Sequence, residues 1–523
     1  MRHGSILIEK FKRVDSLFFV IIHSFFDIKI PMKFIFWSIF LLFTISFAFD
    51  VTQFSSSQIL TVTGSTNGSS FQFPISNAGD INKDGRDDIL IGGYGLEDGG
   101  LYESVYLIYG QSNFSSVNLD FQTFEVNQSS AGISIVGNIG SDGFGSAVSG
   151  AGDIDGDGND DFMIGAFRKG IVYVIYGGSD LQNMDVSLPD LDPATTGFTI
   201  SGDNSEDYVG FSISKAGRIN DDLLDDIIVG LHGKNNQTGA AVVVFGESRA
   251  MRSNISINGS FALIDPQTTG FTLLGEAPGD LFGYSVSSAG DVNNDGRDDI
   301  IIGAPRKGAA YVIYGSQSPA DIDLSIETLD PATTGFIVLG ETAGDYFGIS
   351  VSAAGDVNGD GIADIIVGAN NTGAAYIIYG SETPSNIDLS NQTLTAASTG
   401  FVVKGGNQLG SSVTSLGDLN DDGYGDVMIG APGGQGAVHV IYGGKPDDMI
   451  DLTMTPLDPA MNGFTFTRSG VADGGFGSSI SSGRFNDDNK IELFVGTTTK
   501  TSSSPMVGYV IDISRKQGGK IVD

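Results

Sequence analysis

Residues 282–305, FGYSVSSAGDVNNDGRDDIIIGAP, decide the fold. The stretch opens on an FG pair and continues through SVSSA, whose period of two marks a half-buried strand. An Asp- and Asn-rich loop follows. The chain then enters a continuous apolar run, as expected for a strand covered on both faces, and leaves it through G-A-P. The same order recurs along the chain, with its loops beginning at Asp80, Asp153, Arg218, Asp291, Asp356, Asp418 and Arg484. Seven copies of about 67 residues place the chain among repeat architectures.

Each copy carries two further strand segments. AAYVIYG recurs as IVYVIYG, AVVVFG, AAYIIYG and AVHVIYG, and GFTLLGE recurs as GFTISGD, GFIVLGE and GFVVKGG. Gly and Asp punctuate the gaps, and no helical period intervenes. Four strands per repeat and seven repeats predict an all-β, seven-bladed β-propeller. The ends support a closed ring over an open solenoid. The last copy lacks its fourth strand, and residues 59–65, ILTVTGS, supply one of that type from the N-terminus.

The protein has 523 residues, 75 of them Gly and none Cys, and a formal net charge of −36. Such acidity excludes nucleic-acid binding through a basic surface. The absence of Cys excludes disulfides, zinc–thiolate sites and thiol catalysis. A hydrophobic share of 40% is too high for a disordered acidic chain.

The acid concentrates in the loops. In residues 153–161 oxygen ligands stand at positions 1, 3, 5 and 9, and position 7 can offer a backbone carbonyl. A hard cation such as calcium takes six to eight oxygens, which a tight Asp/Asn loop supplies. Glycine at position 6 permits the sharp turn. The front half is EF-hand-like, but position 12 is Ile164 and no helix flanks the loop. Five loops are intact, giving an expectation of about five calcium ions. Their ligands are Asp80, Asn82, Asp84 and Asp88; Asp153, Asp155, Asp157 and Asp161; Asp291, Asn293, Asp295 and Asp299; Asp356, Asn358, Asp360 and Asp364; and Asp418, Asn420, Asp422 and Asp426. Arg218 and Arg484 replace the first ligand in the other two, which are expected to be metal-free.

FG, then an Asp loop, then GAP, repeated seven times, resembles the FG-GAP repeats of the integrin α-subunit N-terminal propeller. FG is intact at Phe144-Gly145, Phe282-Gly283, Phe347-Gly348 and Phe476-Gly477, and altered at Phe71-Gln72, Val209-Gly210 and Leu409-Gly410. The resemblance covers about residues 58–515. It implies calcium in loops on one face, with ligands bound by the other face and a partner subunit. The chain departs from the family in showing no leg domains, no transmembrane helix and no Cys.

The N-terminus reads differently. Residues 34–49, FIFWSIFLLFTISFAF, follow Lys33 and end near small residues at Ser46 and Ala48. This pattern describes a secretory signal peptide and falls short of the about 20 residues a membrane span needs. Residues 1–48 are thus expected to be a targeting segment, with a possible start at Met32 and cleavage after Ala48; the alternative is an uncleaved anchor. Residues 49–523 are expected to form the propeller. Sequons at Asn67, Asn113, Asn127, Asn236, Asn254, Asn258, Asn370 and Asn391 become candidate glycan sites in a secreted chain.

Nothing marks a catalytic nucleophile, and His232 and His439 read as turn and strand residues. The paired acids are accounted for by the loops. The expected function is a non-catalytic, secreted or cell-surface calcium-binding module for adhesion or protein interaction. It is expected to be monomeric and to bind an extracellular protein or glycan. The alternatives are a carbohydrate-binding propeller and a hydrolase or lyase.

Overall fold

In a computed structural model of the chain, the described residues are 48–54, 59–64, 71–72, 74–95, 103–112, 116–120, 125–126, 131–137, 142–186, 191–259, 263–444, 446–469, 475–498 and 506–513. They fall within the compact unit Phe47–Asp523. The apolar segment up to residue 47 and the sequons at Asn67, Asn113 and Asn127 lie outside them.

The fourth repeat shows how one blade is built. Ser285–Gly290, Asp299–Ala304, Ala309–Ile313 and Gly335–Leu339 pair antiparallel in that order. The first strand buries only Val286 and Ala289, three residues apart because a bulge between Ser288 and Gly290 breaks the strict alternation, while all six residues of the second are buried. This is the contrast that SVSSA and DIIIGA dictate. Apolar side chains of adjacent blades share one core: Val312 and Val338 of the fourth pack with Val367 and Tyr376 of the fifth. Seven such sheets complete a seven-bladed β-propeller. Among the described residues no helix is long and apolar enough to cross a membrane.

The FG and GA dipeptides have a common physical cause. The N–H of Gly348 donates to the carbonyl of Gly368 in its own blade (3.0 Å), while its own carbonyl abuts Gly303 of the preceding blade. A Cβ on Gly303 would lie 2.0 Å from that oxygen. Gly348 itself sits at φ +87°, where only glycine rests without strain. The same contact joins Gly92 to Gly145, Gly165 to Gly210, Gly230 to Gly283, Gly368 to Gly410 and Gly430 to Gly477. The Phe of FG is a core residue: Phe282 meets Tyr311 edge-on at 5.1 Å, and Phe347 meets Tyr376 at 5.4 Å. Val209 and Leu409 fill the same role fully buried, so these two altered motifs keep the glycine and vary only the apolar neighbour.

Ring closure follows the sequence expectation and goes beyond it. Ile59–Gly64 pairs antiparallel with Met506–Ile511, completing the seventh blade. Leu60 and Val62 are fully buried between the seventh and first blades. The sequence reading missed a fifth strand. Each blade takes a short parallel strand on its outer edge from the next repeat, as Ile387–Asp388 does beside Gly335–Leu339. For the sixth blade that strand is Ala48–Asp50, paired with Gly463–Thr467. The N-terminus therefore closes two blades, with Phe49 packed against Phe464 (5.8 Å) and Phe466 (6.0 Å).

Deleting Ile59–Gly64 exposes the edge of the last blade, and the truncated protein is expected to aggregate; a monomer melting at the wild-type temperature would show that the ring closes otherwise. Leu60→Ala should cost about 2–5 kcal/mol in chemical denaturation. Gly303→Ala should cost about 1–3 kcal/mol or more through the clash with Gly348, whereas alanine at exposed Gly406 should cost less, since a Cβ there meets no atom within 4 Å and the backbone does not need a positive φ.

Candidate metal centres

Every Asp loop joins the first and second strands of a blade, so all seven lie at one end of the propeller. Within the intact loops burial is uneven along the motif and greatest at its end. The first ligand is half-buried in four loops and exposed in the sixth, the fifth-position Asp is exposed, and the ninth-position Asp is fully enclosed.

The buried ninth acid clamps backbone. Asp299 accepts from the N–H of Val292 (2.9 Å) and of Gly315 (2.9 Å), tying the loop to the end of the third strand. Asp88 does this with Ile81 and Gly110, Asp161 with Ile154 and Gly177, Asp364 with Val357 and Gly380, and Asp426 with Leu419 and Gly443. Burial pushes these carboxyls up, to about 8 for Asp88, Asp161 and Asp299 and about 7 for Asp364 and Asp426. Asp226 makes the same clamp, to Ile219 and Gly246, in the Arg218 loop. The clamp therefore belongs to the turn whether or not the loop retains its first ligand.

The first ligand folds over the loop. Asp291 accepts from the N–H of Asp295 (3.0 Å) and Gly296 (2.8 Å), and Asp80, Asp356 and Asp418 do the same at their positions. Asn82, Asn293, Asn358 and Asn420 turn their Oδ1 to the fifth-position N–H, which brings ligands 1 and 3 to one point. In the second loop the convergence is complete for three acids: Asp153, Asp155 and Asp161 each bring an oxygen within 4.8 Å of the others. Two oxygens on one calcium, each at about 2.4 Å, can stand no more than about 4.8 Å apart. The donor set is all oxygen, which fits a hard cation. Its Asp157 lies against Asp155 through a backbone bond of 2.9 Å.

The acid at position 8 does different work from its neighbour at position 9. Asp160 accepts from the N–H of Asp80 (2.8 Å), Asp225 from Asp153 (3.0 Å), Asp298 from Arg218 (2.8 Å) and Asp87 from Arg484 (2.8 Å). In these four loops it staples the blade to the preceding one. Cations reinforce the ring of loops: Arg297 pairs with Asp221 (2.9 Å) and Arg86 with Asp487 (2.6 Å).

The seventh loop, expected to hold no metal, nonetheless gathers acid. Asp488, Glu492 and Asp512 bring oxygens within 4.8 Å of one another. Asp512 lies just past the third strand, so no loop motif could reveal it. Both oxygens of Glu492 are already held, by the N–H of Phe485 and the side chain of Asn486, each at 2.7 Å.

His232 and His439 lie away from the Asp loops. His439 is held in the third strand of the sixth blade, its Nδ1 2.9 Å from Thr465 Oγ1. His232, at the opposite end of the propeller, stacks on Tyr208 (4.9 Å, 2°) and meets Phe211 and Tyr284. Burial lowers both to about 4, so both are neutral at pH 7. No sequence pattern marks this aromatic group, because its members come from three separate loops.

The FG-GAP repeat family model matches residues 282–313, 347–378 and 409–441. The chain is 34% identical over 251 residues to integrin alpha pat-2 of Caenorhabditis elegans, covering 44% of this chain and 18% of that protein. It is 28% identical over 272 residues to integrin alpha-PS2 of Drosophila melanogaster (49% and 17%) and 28% identical over 241 residues to integrin alpha-5 of Xenopus laevis (43% and 20%). The matched part thus spans about a fifth of the length of these relatives. Among solved structures, a lectin from Burkholderia pseudomallei aligns over 85% of this chain and 97% of its own at 14% identity, with a TM-score of 0.42 that carries no functional weight. Glycine joints, buried FG aromatics and repeated Asp loops define an FG-GAP β-propeller. With the relatives above, the chain is an integrin α-like FG-GAP propeller.

Asp160→Ala should lose about 1–3 kcal/mol of stability yet leave calcium stoichiometry unchanged in calorimetric titration, whereas Asp157→Ala should remove one site. Asp222→Ala, in the Arg218 loop, should remove none.

Proposed function

We propose that the chain is a non-catalytic, calcium-dependent adhesion or protein-interaction module outside the cell. The observation that carries this reading is the Asp loop repeated intact in five blades of an integrin α-like propeller. Residues up to 47 act as the targeting segment, and the chain that opens on the strand Ala48–Asp50 and runs to residue 523 acts as the binding body. Calcium in the loops screens carboxylates that repel one another when no cation is present and stiffens one end of the ring. The opposite end, built from the connections that enter each FG pair and from the GAP turns, meets the ligand.

A protein ligand is the first expectation. The aromatic group there gives specific support to a glycan as the second: Tyr208, Phe211 and Tyr284 are half-exposed and Tyr346 is 42% exposed, and such rings can serve as sugar platforms. A calcium-dependent pull-down from cell-surface extract and a glycan array separate the two. Phe211→Ala and Tyr284→Ala should weaken whichever interaction is found. Loss of binding on chelation with no effect of these two variants would place the ligand elsewhere.

Calcium also bears on stability. At about 1 mM calcium and a Kd of about 0.1 mM, each site stabilises the fold by about 1.4 kcal/mol. Five independent sites give about 7 kcal/mol as an upper figure, comparable to the stability of a whole domain. Chelation should therefore lower the melting temperature by many degrees. Titration should return about five ions; six or more would implicate the Arg218 or Arg484 loops, and zero would end the metal reading.

A further inference from the structure

The second loop differs from the other intact loops at one position. Position 3 is Asn in the first, fourth, fifth and sixth loops and Asp155 here. In three of the Asn loops the side-chain amide donates to the fifth-position carboxylate: Asn293 to Asp295 (3.1 Å), Asn358 to Asp360 (3.0 Å) and Asn420 to Asp422 (3.0 Å). Asp155 has no such proton to give. The missing donor comes from another repeat. Arg249, in the connection between Ala240–Val244 and Ile255–Ile257 of the third repeat, donates Nε–H to Asp155 Oδ2 and Nη2–H to Asp157 Oδ2.

The match is one of charge as well as geometry. The second loop carries four carboxylates among its ligands where the others carry three, and one guanidinium restores the balance. Arg249 is also held in place, lying over the ring of Tyr176 at 4.5 Å, while the Asp155 side chain is fully enclosed. Arg86 and Arg297 differ: each reaches only the fifth-position acid of its own loop and leans to a neighbouring one.

Resting on the calcium reading above, we propose that Arg249 is a built-in cation of the second loop that competes with calcium for Asp155 and Asp157. A calcium ion there needs oxygens that the guanidinium already occupies, and the two positive charges repel at close range. The second loop is therefore ordered without metal and binds calcium more weakly than the other four. The arginine, 28% exposed and borne on a connection, has room to swing aside when calcium enters.

The test uses the full chain in calorimetric calcium titrations, with folding checked by circular dichroism. Arg249→Gln is expected to tighten one site by about tenfold or more, as removal of a unit charge beside a dication requires. The double variant Asp155→Asn with Arg249→Gln rebuilds the composition of the other loops and should bring this site level with them. The tightened site should vanish when Asp153→Ala is added, which assigns it to this loop. In chelator, Arg249→Gln should melt lower than wild type, and Asp155→Asn should restore the loss. A folded Arg249→Gln protein whose isotherm is unchanged or weaker overturns the proposal alone. A wild type that binds calcium at no loop overturns the calcium reading and the competition with it.

Discussion

The fold depends on the approach of two backbones. At six joints between blades, the carbonyl of an FG glycine lies where the Cβ of a GA glycine in the preceding blade would be. Interiors are packed too tightly for a side chain to be absorbed there. That contact sets how closely neighbouring sheets stand and lets their apolar faces share a core. The aromatic of FG follows from the same approach. It fills the space beside the glycine and meets a Tyr of the third strand, and Val209 or Leu409 can replace it because the requirement is apolar volume.

The Asp loops divide their labour along the motif. The ninth acid is a structural clamp, holding the loop to the second residue and to the exit of the third strand in the intact copies and in the Arg218 copy. The eighth acid, where present, staples blades together. The first and fifth positions are more exposed than the ninth. The clamp explains how Arg218 and Arg484 can displace the first ligand without loss of the turn: the ninth-position acid's hold on the second residue does not use the first side chain. The same division makes the second loop informative, since its one change at position 3 is met by a cation from the next blade.

Closure places the chain's N-terminal strands under the same constraint. Because the ring is opened between the third and fourth strands of the seventh blade, the N-terminal segment inherits two duties. Ile59–Gly64 is the missing fourth strand, and Ala48–Asp50 is the fifth strand of the sixth blade. Both follow from one connection, which in the other repeats carries a short strand to the preceding blade before returning to its own.

The sequence by itself determined the blade count, the strand order, the closing strand and the residues of the five intact loops. Each is a local pattern: a period of two, an apolar run, an Asp spacing, a copy number. The fifth strands escaped it because two or three residues carry no period, and they pair with a blade outside their own repeat. The clamp and staple roles of the two adjacent acids, as in Asp298-Asp299, were hidden for a similar reason: the residues look alike, and only their partners distinguish them. Asp512, Arg249 and the aromatic group around His232 were decided by tertiary structure alone. They reach their neighbours across strands or across blades, and distance along the chain holds no record of that meeting.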